Sequence, residues 1–316
     1  MKASLEPTPV PSSPHTRFAR FAWAILAYNL LVVMWGAFVR ATGSGAGCGS
    51  HWPLCNGEVV PRAESVETMI EFSHRLTSGL DGFLVLGMTI WAWRAFPRPH
   101  RVRKAAFVAL VFLIFEALIG AGLVRFELVA DNASLTRAWV MGAHLVNTFF
   151  LLAALALTAH WSSGNPGLAW SHNRRTAVVA GGGVLALLIV GLSGAVAALG
   201  DTLFPAESFA AGLAMDLSPT AHILVRLRVF HPFIAIGGAA IVGFGAFALA
   251  RWRPSPAVHK MSRIFFGLYV AQLVLGVINL GLAAPVWMQL VHLLVADLVW
   301  IAWVLLGAEA LAKHRP

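Results

Sequence analysis

Uncharged apolar runs alternate with short polar segments along almost the whole chain. A helix crosses the hydrocarbon of a bilayer with about 20 predominantly apolar residues. Eight stretches meet that requirement: Phe21–Val39, Met69–Phe96, Ala105–Val124, Ala138–His160, Ala177–Leu199, Val229–Ala250, Ile264–Ala283 and Val286–Ala310. The pattern predicts an all-α membrane protein of eight transmembrane helices. Ahead of the first run, Met1 to Thr16 is rich in Pro and Ser, and no small-residue cleavage site follows. Residues 1–17 therefore read as a disordered cytoplasmic tail leading into an uncleaved helix, without the Arg-rich amphipathic character of a transit peptide.

Composition agrees: 58% of residues are hydrophobic and 12% charged, which excludes a soluble globule. The net charge of +9 would suit nucleic acid if the bases formed a surface, but they fall in clusters between the runs. Arg94, Arg98, Arg101, Arg103 and Lys104 follow the second run, Arg174 and Arg175 the fourth, and Arg251, Arg253, Lys260 and Arg263 the sixth. Positive loops mark the cytoplasmic face, so membrane lipid, not nucleic acid, is the expected surrounding. The other loops carry Glu58, Glu64, Glu67, Glu127, Asp131, Asp201, Glu207 and Asp216. Both termini are then expected inside.

The chain repeats itself. Placing His74 on His231 also places Arg94 on Arg251, and a nearby offset aligns Glu116-Ala-Leu-Ile-Gly120 with Gln272-Leu-Val-Leu-Gly276. In the fourth and eighth runs Trp139 and His144 fall on Trp287 and His292. Four spans per half give both halves the same orientation, so the prediction is two tandem four-helix bundles, residues 18–165 and 166–316, related by a pseudo-two-fold axis along the membrane normal.

Most of the twelve histidines lie in tails, loops or span ends. His74, His144, His231 and His292 instead lie early in even-numbered spans, in the outer half of the membrane, where ionisable groups are costly and carry function by default. One such histidine would read as a hydrogen-bonded structural residue; four at repeat-related positions do not. A zinc or di-iron site would also draw on clustered Cys, Asp or Glu ligands, and the second half has no such cluster beside its histidines. Paired imidazoles in an apolar, aromatic bundle suit the two axial positions of haem iron, His74 with His144 and His231 with His292. Gly79, Gly82, Gly237 and Gly238 would admit a flat macrocycle or simply pack helices, and Arg75 and Arg228 would pair with propionates or anchor at the interface.

The halves differ chemically. Glu71 lies one turn before His74, on the same face, where the second half has Arg228. It reads either as an acid for proton-coupled chemistry or as a solvated carboxylate at the membrane surface. Glu116, matched by Gln272, reads as a proton-path member or as an interhelical hydrogen-bond partner. Cys48 and Cys55 are the only cysteines and fall in the first outer loop, where a disulfide is the default.

The segments Arg40-Ala-Thr-Gly-Ser-Gly with Cys48, Trp52-Pro-Leu-Cys55-Asn-Gly, Ile70-Glu-Phe-Ser-His74-Arg-Leu-Thr-Ser-Gly79, Gly200-Asp-Thr-Leu-Phe-Pro205 and Arg228-Val-Phe-His231-Pro232 resemble the haem A synthase family. The resemblance spans all eight runs. It implies oxidation of the C8 methyl of haem O to the formyl of haem A by successive hydroxylations and loss of water. It also implies a substrate haem at His74 and His144, a tightly held haem b at His231 and His292, and Glu71 as the acidic residue needed for oxidation. Such a protein sits in a bacterial plasma membrane beside haem O synthase, the protohaem farnesyltransferase; the electron donor and any homo-oligomer stay open. Some members carry a second cysteine pair in the loop between the fifth and sixth spans, absent here. Two other readings are a di-haem b cytochrome exchanging electrons with quinone, which does not account for Glu71 and the cysteine loop occurring in one half, and a haem carrier without catalysis, which substoichiometric haem would reveal.

Overall fold

The structure is a computed structural model that describes residues 14–62, 65–168 and 174–312. Among them the regular structure is helical: α1 (Pro14–Ala41), α2 (Val66–Ala95), α3 (Arg101–Arg125), α4 (Leu135–Ser162), α5 (Arg174–Leu203), α6 (Phe209–Asp216), α7 (Ile223–Arg228), α8 (Phe230–Trp252), α9 (Pro256–Gly281) and α10 (Val286–Ala310). Eight spans are long and apolar enough to cross a membrane, α7 and α8 together making the sixth, Ile223–Trp252. All eight expected spans are present. α1 starts inside the stretch assigned to the tail, since residues 14–17 are helical; residues 1–13 lie outside the described residues, as does Glu64.

Most starts follow from local chemistry. Ser65, Ser134, Ser208 and Ser255 each accept a backbone N–H from the first turn of α2, α4, α6 and α9, and Pro256 opens α9 where a missing N–H costs nothing. The break between α7 and α8 also has a cause in sequence. Pro232 has no N–H for the carbonyl of Arg228, and the ladder lapses at Val229. Val229, predicted to open the sixth span, is thus the joint within it.

α1 and α3 each pack against both α2 and α4; in the later part of the chain α8 packs on α5 and α9, and α10 on α9 and α5. α1, α4, α5 and α10 carry the contacts between the halves. Of two buried tryptophans on α10, Trp300 crosses that seam to α4 and Trp303 packs within the later half, on α5 and α8. Trp300 stacks on Phe149 at 4.9 Å and donates to its carbonyl at 2.5 Å, and Trp303 donates to the Ala180 carbonyl at 3.0 Å against Gly183 and Gly245. Each buried indole N–H is thereby satisfied. Arg40 of α1 crosses the same seam, donating to the Ala198 carbonyl at 2.9 Å, Thr202 Oγ1 at 2.6 Å and Gln289 Oε1 at 2.9 Å. Meanwhile Phe83, Phe115, Phe244 and Val277 point outward and exposed. An apolar exterior of that extent has no place in water. The chain is a multi-pass membrane protein.

Candidate functional site

The four histidines come together in pairs. His74 on α2 and His144 on α4 are close enough for a charge on one to act on the other, and so are His231 on α8 and His292 on α10. α2 and α4 do not pack closely but share α1 and α3 as neighbours, so the first two imidazoles face the interior from opposite helices. Buried ring nitrogens without a hydrogen bond are costly, yet Nδ1 of His74 and of His292 lacks one, and Nδ1 of His144 has only a carboxylate beside it, out of hydrogen-bond alignment. His231 Nδ1 instead meets Ser193 Oγ at 3.0 Å, which leaves its Nε2 for another ligand. Ring nitrogens left without hydrogen bonds in an apolar setting form a donor set that fits axial ligation of haem iron. Among the described residues no three or more His, Cys, Asp or Glu gather as a metal cage, and axial ligation needs none.

Each histidine rests on a glycine of the preceding long helix. A Cβ at Gly36 would lie 2.9 Å from His74 Cε1, at Gly194 3.1 Å from His231 Cε1, at Gly276 3.2 Å from His292 Cε1, and at Gly120 4.0 Å from His144 Nε2. Sequence reasoning chose other glycines: Gly79, Gly82 and Gly237 border open space, and Gly238 packs on Val190. Gly120 and Gly276 coincide in the repeat, which was the available signal. Gly36→Ala is expected to push His74 from its place at about 1–3 kcal/mol and to cut haem retained by the first pair. Gly120→Ala should be near neutral. Haem content by pyridine haemochrome checks the order, and equal retention in both variants would refute it.

Glu71 is buried rather than solvated, at 3% exposure, because the first loop folds over it. Cys48 and Cys55 form a disulfide and are themselves buried. The Cys48 N–H donates to Glu71 Oε2 at 2.8 Å, and Arg75 pairs with Glu71 Oε1 while donating to the carbonyls of His51 at 2.8 Å and Leu54 at 2.6 Å. Thr68 Oγ1 donates to the Gly47 carbonyl at 2.7 Å, a contact so close that a Cβ on Gly47 would strike the α2 backbone. Loop, carboxylate and His74 helix thus form one assembly. Arg75 is engaged by protein groups, and so is Arg228, which donates to Asp216 Oδ1 at 2.6 Å and Asp201 Oδ1 at 3.1 Å. Both guanidiniums thus lie against protein carboxylates, Glu71 one turn from Arg75 and Asp201 and Asp216 brought to Arg228 from earlier in the chain.

Glu116 ties α3 to α4. It accepts from Asn147 Nδ2 and Thr148 Oγ1, each at 2.5 Å, and its Oε1 lies 3.2 Å from His144 Nδ1. In the second half Gln272 Nε2 lies 3.1 Å from His292 Nε2. Asp297 of α10 was missed by the sequence reading: it is fully buried, with neither carboxylate oxygen hydrogen-bonded.

A profile of the COX15-CtaA family, described as cytochrome oxidase assembly protein, matches residues 19–304. The chain belongs to the COX15-CtaA family. Its histidine pairs, Glu71 and the cysteine loop all fall inside the matched region of this family. A relative from Thermus thermophilus, named Protoheme IX farnesyltransferase, is 52% identical over 298 residues, which is 94% of this chain and 49% of that protein. The chain therefore spans about half the length of that relative. Shorter matches reach proteins named Heme A synthase: Geobacillus kaustophilus, 49% identical over 104 residues and 33% of each chain, and Halalkalibacterium halodurans, 43% over 127 residues, 40% of this chain and 42% of the other.

Proposed function

We propose that the chain is a haem A synthase, oxidising the C8 methyl of haem O to a formyl group by successive hydroxylations and loss of water. The observation that carries this reading is the assembly around His74: a histidine pair with a buried carboxylate one turn away, bonded to a disulfide loop, in one half only. The second half repeats the histidines and places Arg228 at the position of Glu71. That difference supports a reading in which the substrate haem is held by His74 and His144 and a resident haem b by His231 and His292.

In this reading each half is a four-helix bundle, the two related by a pseudo-two-fold axis. A bound haem supplies one-electron redox chemistry through its iron. The chain's own part is to hold the ring between paired imidazoles, exclude water with apolar helices, and hold or deliver a proton at Glu71 beside the reacting edge. A farnesyltransferase acting on protohaem, the activity in the printed name of the Thermus relative, is the class of enzyme that would supply the farnesylated substrate. Expression with and without a haem O supply, followed by chromatography of extracted haems, tests the reading. Haem A or its hydroxylated precursor appearing only with haem O supports it; haem b alone under both conditions refutes it.

The same reading puts the disulfide loop outside a bacterial plasma membrane and both termini in the cytoplasm. An impermeant thiol reagent is then expected to label Cys48 and Cys55 in right-side-out membranes only after reduction. Labelling without reductant counts against the disulfide. Protection after reduction, with labelling restored in detergent, counts against the orientation.

A further inference from the structure

We propose that Glu116 is a positioning residue that makes His144 a more electron-donating haem ligand than its counterpart His292, and so lowers the reduction potential of the first-half haem. The inference rests on the reading above that His144 and His292 are axial ligands. Its basis is a contact that the internal repeat conserves in place but not in chemistry. Both Glu116 on α3 and Gln272 on α9 reach the ring of the histidine on the following helix, at 3.2 Å and 3.1 Å.

The atoms differ. Glu116 presents a carboxylate oxygen to Nδ1 of His144, the nitrogen that a haem bound at Nε2 leaves over. With the ring turned slightly into line, the carboxylate would accept a hydrogen bond from Nδ1–H, which fixes the tautomer and raises the basicity of the other nitrogen. Gln272 presents an amide nitrogen to His292 Nε2, while His292 Nδ1 has no partner. A neutral amide nitrogen has no charge to lend and is a donor, not an acceptor.

Glu116 is also held for this task. Asn147 Nδ2 donates to one carboxylate oxygen and to the Phe112 carbonyl at 2.9 Å, and Thr148 Oγ1 donates to the other carboxylate oxygen and lies 2.9 Å from the His144 carbonyl. The carboxylate is thus fixed against the helix that carries the ligand. Gln272 Oε1, by contrast, has no hydrogen bond. A more basic ligand stabilises ferric over ferrous iron and so lowers the potential of that couple.

The test measures the one-electron Fe(III)/Fe(II) couple of each haem by spectroelectrochemistry, with dithionite as reductant, in full-length protein loaded with haem. His144→Ala and His292→Ala assign the two waves. Glu116→Gln copies the second half at nearly constant volume and is expected to keep a low-spin spectrum while its reduction equilibrium rises about tenfold, about 59 mV for one electron. Gln272→Glu is expected to lower the second wave. Unchanged potentials in both variants, with haem retained, overturn the inference and leave ligation standing. If Glu116→Gln loses haem, the sign of the Gln272→Glu shift decides. Waves and spectra unaffected by His144→Ala and His292→Ala would instead overturn the ligand assignment itself.

Discussion

Glu71→Gln is expected to retain haem while oxidation of haem O stalls before the aldehyde, with a rate loss of about 10²- to 10⁴-fold, the usual contribution of a positioned acid or base. The axial histidines are untouched, so binding should survive. Gln keeps the volume and an acceptor for the Cys48 N–H, but it turns an amide toward Arg75 in place of a charged oxygen. Losing that charge-assisted bond costs about 1.5–3 kcal/mol, which loosens the loop. Cys48→Ser separates the two effects, because it opens the disulfide while leaving Glu71 in place. A proton role predicts that Cys48→Ser stays active while Glu71→Gln does not. A purely structural role predicts that haem content, thermal midpoint and turnover fall together in both. Haem A made at the wild-type rate by Glu71→Gln would end the acid–base reading.

His231→Ala and His292→Ala are expected to abolish retained haem b, by well over the 10- to 100-fold that loss of a mere hydrogen-bond partner behind a metal ligand costs. The matching variants His74→Ala and His144→Ala should leave haem b in place and remove haem O and haem A. A site that takes up substrate and releases product must exchange its haem, whereas a resident cofactor need not. The two pairs sit on different helices, α2 with α4 and α8 with α10, separated by the Phe149–Trp300 seam, so removal of one pair should not collapse the other. Haem extraction with chromatography reads both. Unchanged haem b in His231→Ala and His292→Ala would overturn the assignment of the second half.

How much was legible in sequence follows from how local each cause is. The eight spans were readable because membrane crossing depends on the length and polarity of one continuous segment, with no reference to its neighbours. Start positions moved by a few residues where serine caps extend the helix beyond the apolar run, as at Ser134 ahead of Leu135. The four histidines stood out because an ionisable group at membrane depth is anomalous by itself, and the repeat multiplied the anomaly. The cysteine pair was readable from its place in one outer loop, where a disulfide is the default.

The partners of those residues were not legible, because they lie on other helices and arise from packing. Glu71 could be a solvated surface carboxylate by position; only the loop folded across it, with the Cys48 N–H on one oxygen, buries it. Arg228 has the charge to hold a propionate, and only the approach of Asp201 and Asp216 commits it to protein. Gly36 and Gly194 look like any helix-packing glycine until the facing helix brings an imidazole onto each. The sequence by itself determined which segments cross the membrane and which side chains are too polar to be there without a role. Tertiary structure decided what each of those side chains touches, because a hydrogen bond or a ring contact depends on distances of a few ångströms between helices, which no property of a single helix specifies.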